Sequence, residues 1–585
     1  MAASDGAFDE ASEQITASFP APATDGDYDV CVEATDAAGN MGAGPCVTLS
    51  VVTPLVDFDL DGFDSTIDCD DADPTINPGA EDLPDVGFVD ANCDGIDGDE
   101  TDAVFVSVSG SDSATCGPMV EPCGTVQWGV DQANTLGLGN VYVAAGDYTE
   151  SVALADGIDV YGGYDDSTGW DRNPDQHISR VIGVDGTIEG RAMTVLADAI
   201  STATIVADLT LVGPDAAGTL PGGQGRSSYV VVVRNSTGAL EIRGNLIQSG
   251  SGAAGSGGID GVAAGGSPAG GGGIGQPAEN LVAGCDDSTR GNGGSGASSP
   301  LAGTAGGAGG VGGTMDTDCA NYPLTFDATA TPGQPGADAE TSGGGFGLGG
   351  SSNLACLPGL PGQTGQPGAN GASGGGAIAN GLLIGDFWHA ADGLVGSAGT
   401  DGTGGGGGSG SGGCDTGTDS YGAGGGGGGA GGAGATTAGF GGNGGGGSFA
   451  VFLMSSSPNL VSNEFQLGAA GDGGAGGDAG AGQAGGPSGA GGSGSGVDSG
   501  DGGMGGPGGS GGHSGAGGGG AGGITVGVYS TAGSAPTVSG TTTSGGTAGS
   551  GGAGGASAGG SQAPGTPGAD GTVQTEASCA AAAAC

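Results

Sequence analysis

The sequence predicts an all-β chain built around a solenoid of stacked coils, and three observations point there. An apolar strand, a small polar turn and a second alternating strand recur as a unit, beginning at Ala192, Tyr229, Ala377, Phe449 and Ile524. Each unit runs into a glycine-rich tract, weakly so at the first. The 150 glycines and 27 prolines make up about 30% of 585 residues while aromatics are only 4%, a composition of extended repeats rather than of one large core. The last three starts are 72 and 75 residues apart, and the step from Tyr229 to Ala377 is 148, close to twice that. A repeat that cannot bury its own apolar face stacks on its neighbours. The surplus residues are therefore read as inserts leaving one corner of each coil.

Charge and cysteine content narrow the setting. There are 64 acidic residues against seven basic ones, all arginine, for a net charge of −57. That field repels phosphate, so nucleic acid and anionic membrane surfaces are poor partners and divalent cations good ones. Of the twelve cysteines, Cys31/Cys46, Cys69/Cys93, Cys116/Cys123 and Cys579/Cys585 are spaced as local staples. Cys285, Cys319, Cys356 and Cys414 remain, with three possible connectivities. Disulfides on this scale imply an oxidising compartment. Residues 1–30 hold no charged stretch followed by an apolar run, and no segment reaches the ~20 apolar residues of a bilayer span. The expectation is an extracellular or cell-surface chain without a membrane span, part of a longer exported precursor.

The elements follow in chain order. Residues 1–54 read as the end of a β-sandwich: in GDYDVCVEATDAAG, Tyr28, Val30 and Val32 alternate with polar residues before a turn at Asn40, and CVTLSVV supplies a partner strand. This resembles the last strands of a bacterial immunoglobulin-like or fibronectin-type repeat, which implies a partial sandwich.

Residues 55–101 form an acidic module. Counting Asp57 as position 1, acids stand at 1, 3 and 5 (Asp57, Asp59, Asp61), glycine at 6 (Gly62), a backbone carbonyl at 7 (Phe63) and an acid at 12 (Asp68). That is the ligand order of a calcium loop, in which a hard cation collects oxygens and glycine makes the sharp turn. Aspartate at position 12 reaches less far than glutamate, which predicts weak binding, ~10⁻⁴–10⁻³ M. A second cluster, Asp68, Asp70, Asp71 and Asp73, overlaps the first at Asp68. A third holds Asp90, Asn92, Asp94, Asp97 and Asp99, and a Cys69–Cys93 bridge would clamp it against the second. Two or more Ca²⁺ ions are expected; the competing reading is an unstructured acidic spacer. The segment resembles an Asp-rich metal-binding motif of large secreted or surface proteins from myxobacteria and related deltaproteobacteria, similar in kind to thrombospondin type 3 repeats. It departs from that motif at Leu83–Phe88, where a cysteine often appears. The resemblance implies a rigid, calcium-braced joint.

From residue 102 the character changes. AVFVSVSGSD is an apolar strand, and GTVQWGVDQANTLG a short amphipathic helix with Thr125 as its N-cap and Trp128 in its core face. NVYVAAGDYTESVALADGIDVYGGY gives three short strands. Residues 103–164 resemble the N-terminal cap and first coils of right-handed parallel β-helix proteins of the pectin-lyase-like class. The resemblance implies such a helix over 102–248, continued over 249–578 with long glycine-rich inserts, before a tail at 579–585. In the inserts glycine recurs every third residue, as from Gly500 to Gly518, and Leu357–Ser373 is a collagen-like run. Three residues per turn is the period of polyproline-II-type helices. The tracts are read as polyglycine-II-like strands bonded side by side, with disordered loops as the alternative.

Many β-helix proteins cleave polysaccharides, which would require a catalytic base or a carboxylate cluster. Without lysine the base candidates are Arg180, Arg191, Arg234 and Arg243, and no local grouping of Asp with Arg or His forms a catalytic set. His177, His389 and His513 are isolated, and Trp388 suits rung packing or a sugar platform. The function read from the sequence is structural or adhesive and not enzymatic, with calcium and cell-surface polysaccharide or other surface proteins as partners. A polysaccharide-binding or polysaccharide-cleaving protein is the first alternative. An ice- or mineral-binding protein is the second, resting on one Thr-X-Thr, Thr541 and Thr543.

Overall fold

The computed structural model describes residues 2–3, 15–16, 18, 20, 22, 24–35, 38–51, 56–278, 290–301, 304–315, 333–339, 357–378, 381–412, 420–495 and 499–579. The chain divides into two units, Met1–Thr101 and Asp102–Cys585.

The larger unit stacks three sheets of mainly parallel strands in register, an arrangement compatible with a parallel β-helix. One coil runs through Ser228–Arg234, Leu240–Arg243 and Leu246–Gln248, one strand in each sheet. The next uses Ser448–Met454, Asn459–Val461 and Glu464–Ala469, and the next Thr525–Thr531, Thr537–Ser539 and Thr542–Thr547. Stacked positions match: Val231 pairs with Val451 and that with Val528, and Ile242 pairs with Leu460 and that with Val538. The strands YVVVVR and SFAVFLM are almost uninterrupted apolar runs because both faces of their sheet are buried. Inside the coils lie Val231, Val233, Val451, Leu453 and Val528 with Leu460 and Phe465. On the outer face Tyr229, Val232, Phe449, Phe452 and Tyr529 build a second cluster.

The corners are fixed by backbone conformation and buried polar ladders. Ala199, Asn235 and Ser455 turn left-handed at one corner, and Asp208, Gly244, Ser462 and Gly540 at the next. Beside the first, Ser456 Oγ accepts the Ser236 N–H (3.0 Å) and Ser534 Oγ that of Ser456 (3.1 Å). Beside the second, Asn245 Oδ1 accepts the Leu209 N–H (3.0 Å) and Asn463 Oδ1 that of Asn245 (3.1 Å). These side chains satisfy amides that turn out of the sheets into a dry interior.

The first coils are closed by the helix Val126–Leu136, which begins at Thr125, whose Oγ1 accepts the Trp128 N–H, and ends at left-handed Gly137. Its buried face is Val126, Val130 and Ala133. Trp128 is not in the core as expected: it is 41% exposed and donates its indole N–H to the Ser113 carbonyl at 3.0 Å. Two residues from Val126, it points about 200° round the helix from that face. A Cys116–Cys123 disulfide braces this end.

The coil expected at Ala377 is absent. Tyr229 pairs directly with Phe449, and Leu382–Ile384 with Phe387–His389 form an antiparallel hairpin instead. Its two-residue turn, Gly385 and Asp386, has φ of 54° and 69°, the mirror-image turn that suits twisted hairpins. The hairpin covers the outer aromatic cluster, with ring centroids 5.4 Å apart for Tyr229–Phe387 and 5.8 Å for Trp388–Phe449. Trp388 is therefore a packing residue.

The glycine-rich inserts all follow strands of one sheet, after Gln248, Ala469 and Thr547. They are not ladder strands, yet their backbones are bonded to one another with a period of three. In tract 422–435, the N–H groups of Gly424, Gly427 and Ala430 donate to residues 270–276. Those of Gly425, Gly428 and Gly431 donate to 304–310, and those of Gly426, Gly429 and Gly432 to 503–509. Its carbonyls accept from three further tracts, at 291–297, 402–411 and 483–492. One chain segment thus bonds six neighbours, and it holds only glycine and alanine. A Cβ on Gly428 would overlap Gly405 O, inside the 3.0 Å that real Cβ atoms respect. Tract 357–374 bonds through every third residue, and there glycine recurs only at Gly359, Gly362, Gly365, Gly368, Gly371 and Gly374.

In the smaller unit, Gly26–Thr35 and Met41–Val51 form an antiparallel hairpin with Cys31 opposite Cys46 and disulfide-bonded to it. Apart from a two-residue pairing of Ala2–Ala3 with Ile15–Thr16, it is all of the expected sandwich among the described residues. Val47 and Leu49 lie on its surface. Cys579 is disulfide-bonded too. Its expected partner Cys585, and Cys285, Cys319, Cys356 and Cys414, lie outside the described residues. No helix among the described residues is long and apolar enough to cross a membrane.

Candidate metal centre

The acidic module from residue 56 onward is a chain of tight turns in which aspartates hold the backbone with one oxygen and turn the other inward. Asp57 accepts the N–H groups of Leu60 (2.6 Å) and Gly62 (3.0 Å). Asp59 Oδ1 accepts from Asp61 N, Asp61 Oδ1 from Phe63 N, and Asp68 Oδ1 from Asp70 N. Asp71 Oδ1 closes the loop by accepting the Phe58 N–H at 2.9 Å. Gly62 sits at φ 105°, the turn that position 6 requires.

The second oxygens are the chemical signal. Oδ2 of Asp59, Asp61, Asp68 and Asp71 is buried in each case and has no hydrogen-bond partner. Asp68 as a whole is only 8% exposed. Carboxylate oxygens of Asp57, Asp59 and Asp61 lie within 4.8 Å of one another, and so do those of Asp59, Asp68 and Asp71. Two donors on opposite sides of a calcium ion at about 2.4 Å are about 4.8 Å apart, so each triplet fits one coordination sphere. The donor set is all oxygen and anionic, which suits a hard cation. The carboxyl of Asp59 is held above the usual range by lost hydration and then by the Asp61, Asp68 and Asp57 charges. A cation there would reverse that penalty.

The geometry sorts the expected ligands. Asp57, Asp59, Asp61, Asp68 and Asp71 converge, and the residue common to both triplets is Asp59, where the spacing pointed to Asp68. Phe63 contributes its N–H to the loop. Asp70 is exposed, and Asp73 is turned to the hydroxyl and N–H of Thr75, which hold its carboxyl below the usual range.

The third cluster repeats the first loop without its inward oxygens. Asp90 accepts from Asp94 and Gly95 as Asp57 does from Leu60 and Gly62, and Gly95 sits at φ 103°. Its Asn92 amide donates to Asp94 Oδ2 and the Gly98 carbonyl, filling the place that Asp59 leaves open. Asp97 accepts from Asp85 N, and Asp99 from Thr101. The Cys69–Cys93 disulfide joins the second and third clusters. A residue that spacing did not mark, Asp82, is 5% exposed and accepts the N–H groups of Ala91 and Gly98, its carboxyl pushed up by burial.

The other candidates lie in the larger unit. Arg180 pairs with Asp147, Arg234 with Glu189 and Asp198, and Arg243 with Glu241. Arg191 stacks on Phe387. His177 lies 3.8 Å from Asp165, His513 Nδ1 accepts the Gly482 N–H, and His389, half-buried, ends the second strand of the hairpin. No family model matches this chain, and no curated protein or solved structure matches it.

Proposed function

We propose that this chain is a structural or adhesive protein of the cell exterior. In this reading a calcium-braced acidic module precedes a right-handed parallel β-helix, and the glycine inserts of that helix form a polyglycine-II-type bundle. The observation that carries the reading is tract 422–435, bonded to six neighbours. With three residues per turn, successive N–H groups leave a strand in three directions, so a stack of such strands becomes cross-linked throughout. A body whose backbone is committed to internal bonds is suited to spanning and display. The partners assigned are cell-surface polysaccharide or other surface proteins. The inward oxygens of Asp59, Asp61, Asp68 and Asp71 support calcium as the brace, and the disulfides suit an oxidising exterior.

Amide hydrogen exchange on the full chain, in calcium and in chelator, tests both halves. Amides of 422–435 should be protected in both conditions, and those of 57–71 only with calcium. In calorimetric titration Asp68→Asn should weaken calcium binding at least tenfold, because the most buried donor loses its charge. Rapid exchange across 422–435 sinks the structural reading, and a wild-type chain that gives no calcium heat and no ordering sinks the calcium reading.

A further inference from the structure

In a chain this acidic every arginine has a choice of partners, and one half-buried arginine has taken none among the described residues. Arg172, Arg180, Arg226, Arg234 and Arg243 are ion-paired, and Arg290 is exposed. Arg191 is half-buried, yet its guanidinium makes no ion pair or hydrogen bond among the described residues. Its guanidinium carbon stands 3.4 Å from the Phe387 ring centroid. That is the thickness of two stacked π-planes, so the group lies flat on the ring and its N–H donors project sideways in their own plane. A cavity of about 160 Å³ opens beside it, lined also by Glu189, Arg226, Ser227, Tyr229 and His389.

The acids nearby are already committed. Glu189 is held by Arg234 at 3.0 Å, and Asp185 by both terminal nitrogens of Arg226 at 2.6 Å. His389 is held toward its neutral form by burial first and then by the Arg191 charge. Arg191 therefore stands at the edge of a cavity with no ion-pair or hydrogen-bond partner among the described residues.

We propose that this cavity binds a small monocarboxylate, seated in a two-bond fork on Arg191. A planar carboxylate matches the guanidinium edge of Arg191, the half-buried arginine without an ion pair among the described residues. A dianion such as sulfate would set its second charge against Glu189 and Asp185. The carboxylate belongs either to a free short acid or to a sugar acid.

Calorimetric titration of the full chain at constant ionic strength, with acetate, glucuronate and sulfate as probes, decides the matter. Binding of acetate or glucuronate, with sulfate at least tenfold weaker, is the expected result, and which acid binds identifies the source. Arg191→Gln should abolish it, and Arg191→Lys should weaken it at least tenfold, since an ammonium cannot form the fork. Phe387→Leu should weaken it while the charge remains. Arg180→Gln, on the far Arg180–Asp147 pair, should leave it unchanged. Failure of both acids to bind at millimolar concentration overturns the proposal, as does equal binding of sulfate, or full binding by Arg191→Gln.

Discussion

Replacing Gly428 by alanine adds one methyl group at the centre of the bundle, and its cost follows from the packing. The new Cβ would overlap Gly405 O. Relief requires the two tracts to part by roughly 1 Å, which stretches the 2.9 Å bond from Gly405 N–H to Gly429 O beyond hydrogen-bonding range. The flanking bonds, Gly402 to Gly432 at 2.9 Å and Gly408 to Gly426 at 2.8 Å, strain with it. Two or three buried backbone pairs left unmade, at ~1–3 kcal/mol each, put the loss at about 2–9 kcal/mol. The matched control is Gly375→Ala, whose Cβ would meet only Leu394 Cδ1 at 3.7 Å. Its expected effect is within about 1 kcal/mol. Hydrogen exchange with mass spectrometry on the full chain reads both. Gly428→Ala should release amides of 402–411 and 422–435 from protection, and Gly375→Ala should not. Equal protection in the two variants would refute the argument that backbone contact, and not composition, sets the glycine requirement.

Three further outcomes are expected. Asn463→Leu leaves the Asn245 N–H and the Ile242 carbonyl unpaired inside the coils and should cost about 2–5 kcal/mol, measured as a lowered thermal midpoint. Cys69→Ser opens a 24-residue loop, and the chain-entropy argument puts the loss at about 3.5 kcal/mol, seen as loss of amide protection in the module at lower denaturant. Asp156 accepts the N–H groups of Thr202 and Ser201, which hold its carboxyl below the usual range. Its folded pKa being the lower one, the stabilisation is complete above the unfolded value near 4 and fades as pH falls through the depressed value. Asp156→Asn should flatten that acid limb in melts taken from about pH 5 to about pH 2.

The strands of the outer, doubly buried sheet were legible because both faces demand apolar residues, so Tyr229, Phe449 and Ile524 each announce a coil. The same rule misled at Ala377, where LLIGDFWH is apolar in order to cover an aromatic face rather than to line an interior. Gly385-Asp386 between two apolar runs was the available signal for a hairpin. Trp128 was misplaced by hydrophobicity alone, since helical spacing already set Val126, Val130 and Ala133 on another face. At the metal centre, spacing named the acids but could not tell which oxygen of each was spent on the backbone. That division separates Asp59 and Asp71 from Asp70 and Asp73. It is made by turns, as is the burial of Asp82, which lies near Glu81 and Asp85 but stands outside the alternating acid pattern of the loops. Arg191 was visible only as one of four arginines, because the stacking of Phe387 on it depends on a hairpin made far along the chain.

The threefold bonding of the inserts gives each tract a phase. Adding one residue to 422–435 would rotate every later N–H by about 120°, aiming it at the wrong neighbour, while adding three would restore the pattern one turn on. Length in this bundle is therefore quantised. The inserts leave from one corner of the coils, so the stack beneath is indifferent to their number of turns and sensitive only to where each returns. Such a protein can lengthen by whole turns of a tract with its coil register intact, and a single-residue slip would be felt across six strands at once.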